Sequence, residues 1–295
     1  MQTTRRAFTF GFGLTALLAQ SNLAFPALAG GIDNSALGQP GFRAHVATYG
    51  VVYLLPPEVN AALDQTARPR IRERLLDLGL KGEAETANLP HVTVMHLHSA
   101  DPGTPAKMLE AMPDLPPVLN VTLKDFYTTE AAKGAGHPWW FDLGVVKEGE
   151  GYEAMQAFNT RATEALTPLR DGPLPRVTGP VHAHMSDAGR DLVQRFGVSG
   201  VNMMKDGSEL RAHNPHNTLV YSMTPWQPPL TDAMNALADE LDLALPDGIP
   251  TTFRSVSIVE IGFMGNVLRE IYRIDLADGS VTDVANGKVL ASLAD

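Results

Sequence analysis

The chain has 295 residues, an ordinary composition for a globular protein and a formal net charge of −10. It contains no cysteine, which excludes disulfides, a thiolate nucleophile and zinc sites of the cysteine type. Long nucleic acids are usually bound by clustered Lys and Arg, so the acidic balance argues against them as partners. The length suffices for one large domain or two small lobes with a proper core.

Residues 1–29 have the pattern of a secretory signal peptide. Arg5 and Arg6 precede a short apolar run over 10–19, and small residues precede a cleavage site after Ala29. The paired arginines resemble a twin-arginine export signal. The apolar run is too short and too rich in glycine for a stable membrane span. We therefore expect a soluble periplasmic protein that does not bind membranes. Cleavage removes two arginines and no acidic residue, which changes the net charge from −10 to −12.

Periodicity and turn residues predict alternating strands and helices in the rest of the chain. The predicted strands cover 45–55, 91–97, 118–127, 139–146, 216–223, 252–263 and 267–276. The predicted helices cover 58–78, interrupted near Pro69, and 104–112, 152–169, 188–196 and 230–243.

Two further segments follow from length and turn chemistry. The stretch 171–215 is long and mostly irregular, so we consider it as a lid. Gly265-Asn266 marks the turn of a hairpin between the last two predicted strands. The tail 277–295 contains two further turn dipeptides and is expected to add one small hairpin.

One short string occurs twice in the chain. Pro90-His91-Val92-Thr93-Val94 recurs as Pro215-His216-Asn217-Thr218-Leu219, 125 residues further on. Alternate residues of a strand point to one face, so each copy presents an imidazole beside a hydroxyl. Two copies on facing strands would place two imidazoles and two hydroxyls around one small space. Such a set suits acid–base chemistry on a phosphate ester.

The order of the predicted elements suggests two similar halves, each centred on one copy of the string. We therefore predict an α+β fold of two pseudo-symmetric lobes, each an antiparallel sheet with helices outside, around a central cleft. The mature domain would cover 30–295, with lobe one at about 44–150, lobe two at about 151–276 and the C-terminal tail at 277–295.

With these motifs in this order, the chain resembles the two-histidine phosphoesterase superfamily, which includes RNA 2′,3′-cyclic phosphodiesterases and 2′-5′ RNA ligases. The signature of that family is a pair of tetrapeptides, His–hydrophobic–Thr/Ser–hydrophobic. His91-Val92-Thr93-Val94 matches at all four positions. His216-Asn217-Thr218-Leu219 matches at three, with Asn217 where a hydrophobic residue is usual. The resemblance covers about 44–276.

The resemblance implies a phosphoric diester hydrolase that needs no metal and no cofactor. One neutral imidazole of His91 and His216 would take a proton from water, and the other, protonated, would give one to the leaving alkoxide. Thr93 and Thr218 would hydrogen-bond the non-bridging phosphate oxygens. The sequence leaves open which histidine is the base. We expect a small substrate, such as a nucleoside 2′,3′-cyclic phosphate or a short RNA end, and the acidity makes a long-RNA ligase the weaker choice.

Two other functions remain open at this stage. The pairs His96/His98 and His182/His184 could bind zinc or copper in a periplasmic metal-binding protein. In a regular strand His96 and His98 face away from His91, so this metal site would be a separate one. Alternatively, the chain could be a binding module for a phosphorylated ligand that keeps the fold without turnover. The sequence does not determine the oligomeric state.

Several other side chains are weaker candidates for ligand contact. Tyr49 could line the cleft, whereas strand parity puts Tyr221 on the face opposite His216 and favours core packing. Consecutive aromatic residues could stack on a nucleobase, although they more often divide between the two faces of a strand: Trp139, Trp140 and Phe141. Three arginines could add positive charge near a phosphate: Arg43, Arg176 and Arg211.

Overall fold

The computed structural model describes residues 47–130, 139–170, 187, 213–222, 224, 226–262, 265–290 and 292–293. Several predictions concern residues outside these ranges: the signal peptide, the helix over 188–196, nearly all of the segment considered as a lid, Arg43, Arg176, Arg211, His182 and His184. No helix in the described part of the chain is long and apolar enough to cross a bilayer.

The described residues form a mixed α and β fold with one antiparallel sheet. Its ten strands are β1 Ala47–Leu54, β2 His91–Ser99, β3 Leu119–Glu130, β4 Trp139–Val145, β5 His216–Ser222, β6 Ile249–Phe253, β7 Ser255–Ile261, β8 Val267–Asp275, β9 Val281–Asp283 and β10 Lys288–Val289. The described helices are α1 Pro57–Gln65, α2 Ala67–Asp77, α3 Lys81–Ala84, α4 Thr104–Glu110, α5 Glu150–Leu166 and α6 Pro228–Ala244, with a 3₁₀ turn over Thr167–Leu169.

The predicted helix over 58–78 is interrupted, as expected, but the interruption lies at Thr66, three residues before Pro69. Pro69 lies in the first turn of α2, where its missing N–H costs no intrahelical hydrogen bond. Pro57 and Pro228 likewise occupy the first positions of α1 and α6. Proline in these helices therefore marks where they start.

The predicted strand over 252–263 is also divided in two. Its first part, β6, pairs with β3, and its second part, β7, pairs with β1 and β8. The strand order is β10-β9-β8-β7-β1-β2-β5-β4-β3-β6, so β6 and β7 lie six positions apart. A flat sheet would separate them by roughly 29 Å. Phe253 and Ser255 are two residues apart and can be separated by at most about 7 Å, so the sheet bends sharply to bring its edge back to β7.

The two faces of the sheet differ in what they bury. One large cluster of buried apolar side chains joins the sheet to the helices, and it includes Tyr53, Phe141 and Phe158. Helices α5 and α6 contact β3 on this side. The other face holds a small apolar cluster of Val52, Val259, Ile261 and Val267, partly covered by Leu54. The hairpin between β7 and β8, with Gly265 at positive φ, and the hairpin of β9 and β10 confirm the predicted C-terminal turns.

The two motif strands, β2 and β5, are neighbours at the middle of the sheet. Their antiparallel ladder is short and has Val92 opposite Asn217 as its one registered pair in the described residues. The buried Asn217 amide reinforces this junction by donating a hydrogen bond of 2.9 Å to the His91 carbonyl. An amide at this position therefore replaces backbone pairing, which explains the polar residue where a hydrophobic one was expected. The two-lobe symmetry and the cleft stay predictions.

Candidate functional site

The register of β2 and β5 places the four predicted site residues on one face of the sheet. With Val92 opposite Asn217, one further step in each direction sets His91 opposite Thr218 and Thr93 opposite His216. Directly opposed residues of an antiparallel pair point to the same face, about 5 Å apart. We call the side of the sheet that bears His91, Thr93, His216 and Thr218 the motif face. The two strands lie side by side instead of facing each other across a gap.

The same local hydrogen bond orients both histidines. His91 Nδ1 lies 2.8 Å from the Leu89 carbonyl, and His216 Nδ1 lies 2.7 Å from the Asn214 carbonyl. A carbonyl only accepts, so Nδ1 carries the proton in each ring and Nε2 is left to exchange protons. A proline separates each carbonyl from its histidine and holds the preceding residue in an extended conformation. The repeated Pro-His-x-Thr string therefore determines how each imidazole is oriented as well as where each strand begins.

The two histidines differ in burial. His91 is 3% exposed, whereas the His216 side chain is 27% exposed. Burial lowers the pKa of His91 to about 4, and any positive charge on His216 or His96 lowers it further. The hydrogen bond to the Leu89 carbonyl opposes this shift. His91 is therefore neutral at neutral pH, the state that a general base requires.

Each motif strand has a β-bulge immediately after its threonine. In β2 the register shifts so that Val94 has no partner on β1, and in β5 it shifts so that Leu219 has no partner on β4. An extra residue in a strand moves each later side chain to the face of the sheet opposite to the one that regular alternation predicts. The carbonyl of Val94, which the bulge removes from the ladder, accepts a hydrogen bond from the buried Asn159 amide of α5.

The bulges overturn two expectations based on regular strand parity. His96 pairs with Gly50 on β1, and Tyr221 pairs with Trp140 on β4, so both residues lie on the motif face. In the same register His98 pairs with Thr48 and also lies on the motif face. The expectations that His96 and His98 face away from His91, and that Tyr221 faces away from His216, are therefore wrong. Tyr221 is buried, whereas His96 is half-buried. Burial lowers the pKa of His96 to about 4 and raises that of Tyr221.

Asp142 on β4 is the main site residue that the sequence analysis missed. It lies directly opposite Thr218 and is fully buried. The Thr218 hydroxyl donates a hydrogen bond of 2.7 Å to Asp142 Oδ1, and His216 Nε2 lies 3.9 Å from the same oxygen. An aspartate inside the otherwise apolar run Trp139–Val145 was the available signal, because buried carboxylates need a specific partner.

Two more residues support the site from its edges. Tyr127 on β3 lies opposite Asp142, and its hydroxyl accepts a hydrogen bond of 3.2 Å from the Asn214 amide. Burial raises the pKa of Tyr127, and the charge of Asp142 raises it further. His213 is buried, and its ring hydrogen-bonds the backbone of Thr93. The Gln156 side chain of α5 accepts a hydrogen bond from the His213 backbone N–H and donates one to the His213 carbonyl. These contacts fix the entry to β5 against β2.

The remaining candidates divide between the two faces. Trp139 and Phe141 pack in the large core, whereas the half-buried Trp140 lies on the motif face, as the expected division of the aromatic run requires. Tyr49 is buried in the core cluster, so its suggested cleft position is wrong.

Only two of the four histidines of the suggested metal site, His96 and His98, lie in the described residues. His98 Nδ1 lies 2.9 Å from the Thr48 hydroxyl. Within the described ranges, no group of three or more His, Asp or Glu side chains is arranged to hold a metal ion. His182 and His184 are outside those ranges, so the four-histidine arrangement stays a prediction.

Comparison with known proteins gives distant structural likenesses only. No family model matches the chain, and no curated protein matches it. The solved structure of TT0787 from Thermus thermophilus is similar with a TM-score of 0.40 and 14% identity, over 76% of this chain and 96% of that one. The conserved protein of unknown function ATU0111 from Agrobacterium tumefaciens is similar with a TM-score of 0.40 and 15% identity, over 79% and 90%. At these values neither protein assigns a family or a function to this chain.

Proposed function

We propose that the protein is a cyclic phosphodiesterase of the two-histidine type, which opens a nucleoside 2′,3′-cyclic phosphate or a similar small RNA end. The observation that supports this most is the register of β2 and β5, in which Val92 lies opposite Asn217. That register gathers two imidazoles and two hydroxyls on one face, with both Nδ1 atoms bonded to backbone carbonyls.

The reaction uses the two imidazoles in opposite protonation states. Water attacks phosphorus, forms a new P–O bond and gives its proton to the neutral imidazole. The bond from phosphorus to one ring oxygen breaks, and the other, protonated imidazole gives its proton to the departing alkoxide. The product is a phosphate monoester with one free ribose hydroxyl, and the two histidines return to their starting states by exchange with solvent. The histidine pair supplies both proton transfers, so this scheme includes no metal.

The threonine hydroxyls lie where the phosphate oxygens would gather charge. Thr93 lies opposite His216, and Thr218 lies opposite His91, so a phosphate between the two imidazoles would be within reach of both. Thr93 can donate to a non-bridging oxygen directly. Thr218 already donates to Asp142 and would have to exchange that hydrogen bond to do the same.

Local correspondences support the two-lobe interpretation of the fold. Each motif has the same carbonyl two residues before its histidine, and each has a bulge directly after its threonine. His96 and Tyr221, five residues after His91 and His216, return to the motif face in the same way. We infer that the two halves are related by an approximate twofold axis that passes between β2 and β5, with the substrate bound on that axis.

The proposed location fits a small scavenged substrate. The signal-like residues 1–29 predict export to the periplasm, and the acidic chain is poorly suited to long RNA. A nucleoside cyclic phosphate carries one negative charge and needs only a local site. We therefore propose an exported enzyme that acts on mononucleotides or short oligonucleotide ends.

The test is hydrolysis of the four nucleoside 2′,3′-cyclic phosphates by the purified chain in EDTA. His91→Ala and His216→Ala should each lower kcat/KM at least about hundredfold, because each removes one proton transfer. His98→Ala is the matched control, since it removes a histidine of β2 that lies outside the repeated string and whose Nδ1 is 2.9 Å from the Thr48 hydroxyl. Binding without turnover would favour a binding module. Turnover that appears only with zinc or copper would favour the metal site.

A further inference from the structure

We propose that Asp142 assigns the two proton-transfer roles, with His216 as the general acid and His91 as the general base. The inference rests on the proposed phosphodiesterase function and adds which histidine acts as the acid and which as the base. Asp142 acts through His216 and is therefore a positioning residue.

The two histidines share one type of backbone hydrogen bond but have different neighbours. His216 Nε2 lies 3.9 Å from Asp142 Oδ1, a range at which a carboxylate favours the imidazolium form. His91 has Leu54 opposite it on β1 and Thr218 opposite it on β5. An apolar residue and a hydroxyl give an imidazolium no charge compensation, whereas His216 has a carboxylate within salt-bridge range.

The hydrogen bonding of Asp142 points to the same assignment. Asp142 is 0% exposed, and its Oδ1 accepts the Thr218 hydroxyl proton. Its buried Oδ2 has no hydrogen-bond partner within the described part of the chain. A buried carboxylate that is only half satisfied is costly unless a cation lies nearby. The imidazolium of His216 is placed to be that cation.

The other histidines around His216 do not compete for its proton. Burial lowers the pKa of His91 and His96 to about 4 and that of His213 to about 3. All three are neutral at neutral pH, so none of them repels a charge on His216 there. His216 is also the more exposed member of the catalytic pair, which lowers the cost of charging it.

The remaining titratable neighbours leave Asp142 as the nearest charge. Burial, and then the charge of Asp142, raises the pKa of both Tyr127 and Tyr221, so both stay neutral. Lys124 on β3 lies opposite Gly144 on β4, and Gly144 lies opposite His216 on β5, so Lys124 is two strands away from His216. The side chain in salt-bridge range of His216 among the described residues is therefore that of Asp142.

The same geometry separates the roles of the two threonines. Because the Thr218 hydroxyl donates to Asp142, it holds the carboxylate in place beside His216. Thr93 is then the hydroxyl that donates to the phosphate. Thr93→Val should therefore lower kcat more than Thr218→Val.

A change of leaving group tests the assignment directly. The p-nitrophenolate group departs without a proton, so bis(p-nitrophenyl) phosphate needs the base but not the acid. His216→Ala should keep turnover of this ester within about tenfold of wild type and lose at least about hundredfold on the cyclic phosphate. His91→Ala should lose at least about hundredfold on both. The reverse pattern would overturn the assignment.

The same two esters test the part played by Asp142. Asp142→Asn keeps an acceptor for Thr218 but removes the carboxylate charge beside His216, so turnover of the cyclic phosphate should fall at least about tenfold while turnover of bis(p-nitrophenyl) phosphate stays near wild type. Asp242→Asn, the same change at a carboxylate that accepts the Phe126 N–H, is the matched control and should leave both rates unchanged.

The esters separate failure of the proposed function from failure of the assignment. Absence of turnover of every ester by the wild-type chain would refute the proposed function. Equal losses on the cyclic phosphate and on bis(p-nitrophenyl) phosphate in Asp142→Asn would refute the role of Asp142 in an active enzyme. If Asp142→Asn does not fold, the two histidine variants decide: a larger loss on bis(p-nitrophenyl) phosphate in His216→Ala than in His91→Ala contradicts the proposal.

Discussion

Acidification should destabilise this protein through three histidines that the folded chain holds in the neutral state: His91 and His213, which are buried, and His96, which is half-buried. Burial lowers the pKa of His91 and His96 to about 4 and that of His213 to about 3, from 6.5. The unfolded chain takes up protons at these positions below about pH 6.5, whereas the folded chain does so only near pH 4 or lower. Stability is therefore complete above pH 6.5 and falls as the pH decreases towards 4.

The magnitude follows from the size of the pKa shifts. Between pH 7 and pH 4.5, each of the three histidines should remove about 2.5 kcal/mol from the free energy of unfolding. Together they remove about 7 kcal/mol, which is comparable to the whole stability of a typical domain at about 5–15 kcal/mol. Urea unfolding followed by circular dichroism at pH 7, 5.5 and 4.5 measures this loss.

The variant His96→Leu isolates one of the three contributions. Loss of its packing and hydrogen bonding affects both pH values alike, so the difference in stability between pH 7 and pH 4.5 reports the titration alone. That difference should be about 2.5 kcal/mol smaller in His96→Leu than in wild type. Equal pH dependence in the two proteins would refute the conclusion that the folded chain holds His96 in the neutral state.

Three further predictions concern the site and its support. The kcat/KM for a cyclic phosphate should stay near its plateau down to about pH 5, because the pKa of His91, the proposed base, is about 4; a midpoint near 6.5 in the acid limb of the profile would contradict its burial. Asn159→Leu should lower the free energy of unfolding by about 1–3 kcal/mol, because it leaves the bulge carbonyl of Val94 unpaired; an unchanged urea midpoint would refute this support. Gly50→Ala should lower the free energy of unfolding by about 1–3 kcal/mol, because its new methyl would press against Ile261 Cδ1 and lie 3.0 Å from the Met95 carbonyl; a melting temperature equal to wild type would argue against this close packing.

The elements of this fold were largely predictable, since local sequence sets them. Alternation and length predicted β1, β2, β4 and β5 within a few residues, and the amphipathic pattern predicted α5 and α6. The division of 252–263 into β6 and β7 was not predictable, because both parts have strand character. Only the pairing of one with β3 and the other with β1 separates them.

The site was predictable in its four motif residues but not in its surroundings. The Pro-His-x-Thr repeat identifies His91 and His216 because strand parity relates residues two apart. His96 and Tyr221 could not be placed, since the bulges at Val94 and Leu219 depend on register with β1 and β4. The same holds for Asp142, whose position opposite Thr218 comes from the pairing of β4 with β5, between residues 76 apart in the chain.

A crystal structure of the chain with a nucleoside–vanadate complex, which imitates the five-coordinate transition state, tests the central claim most directly. The account predicts vanadium on the motif face, with Nε2 of both His91 and His216 within hydrogen-bond distance of opposite apical oxygens and the Thr93 hydroxyl on an equatorial one. Vanadate bound elsewhere, or in contact with only one of the two histidines, would contradict a paired-histidine mechanism.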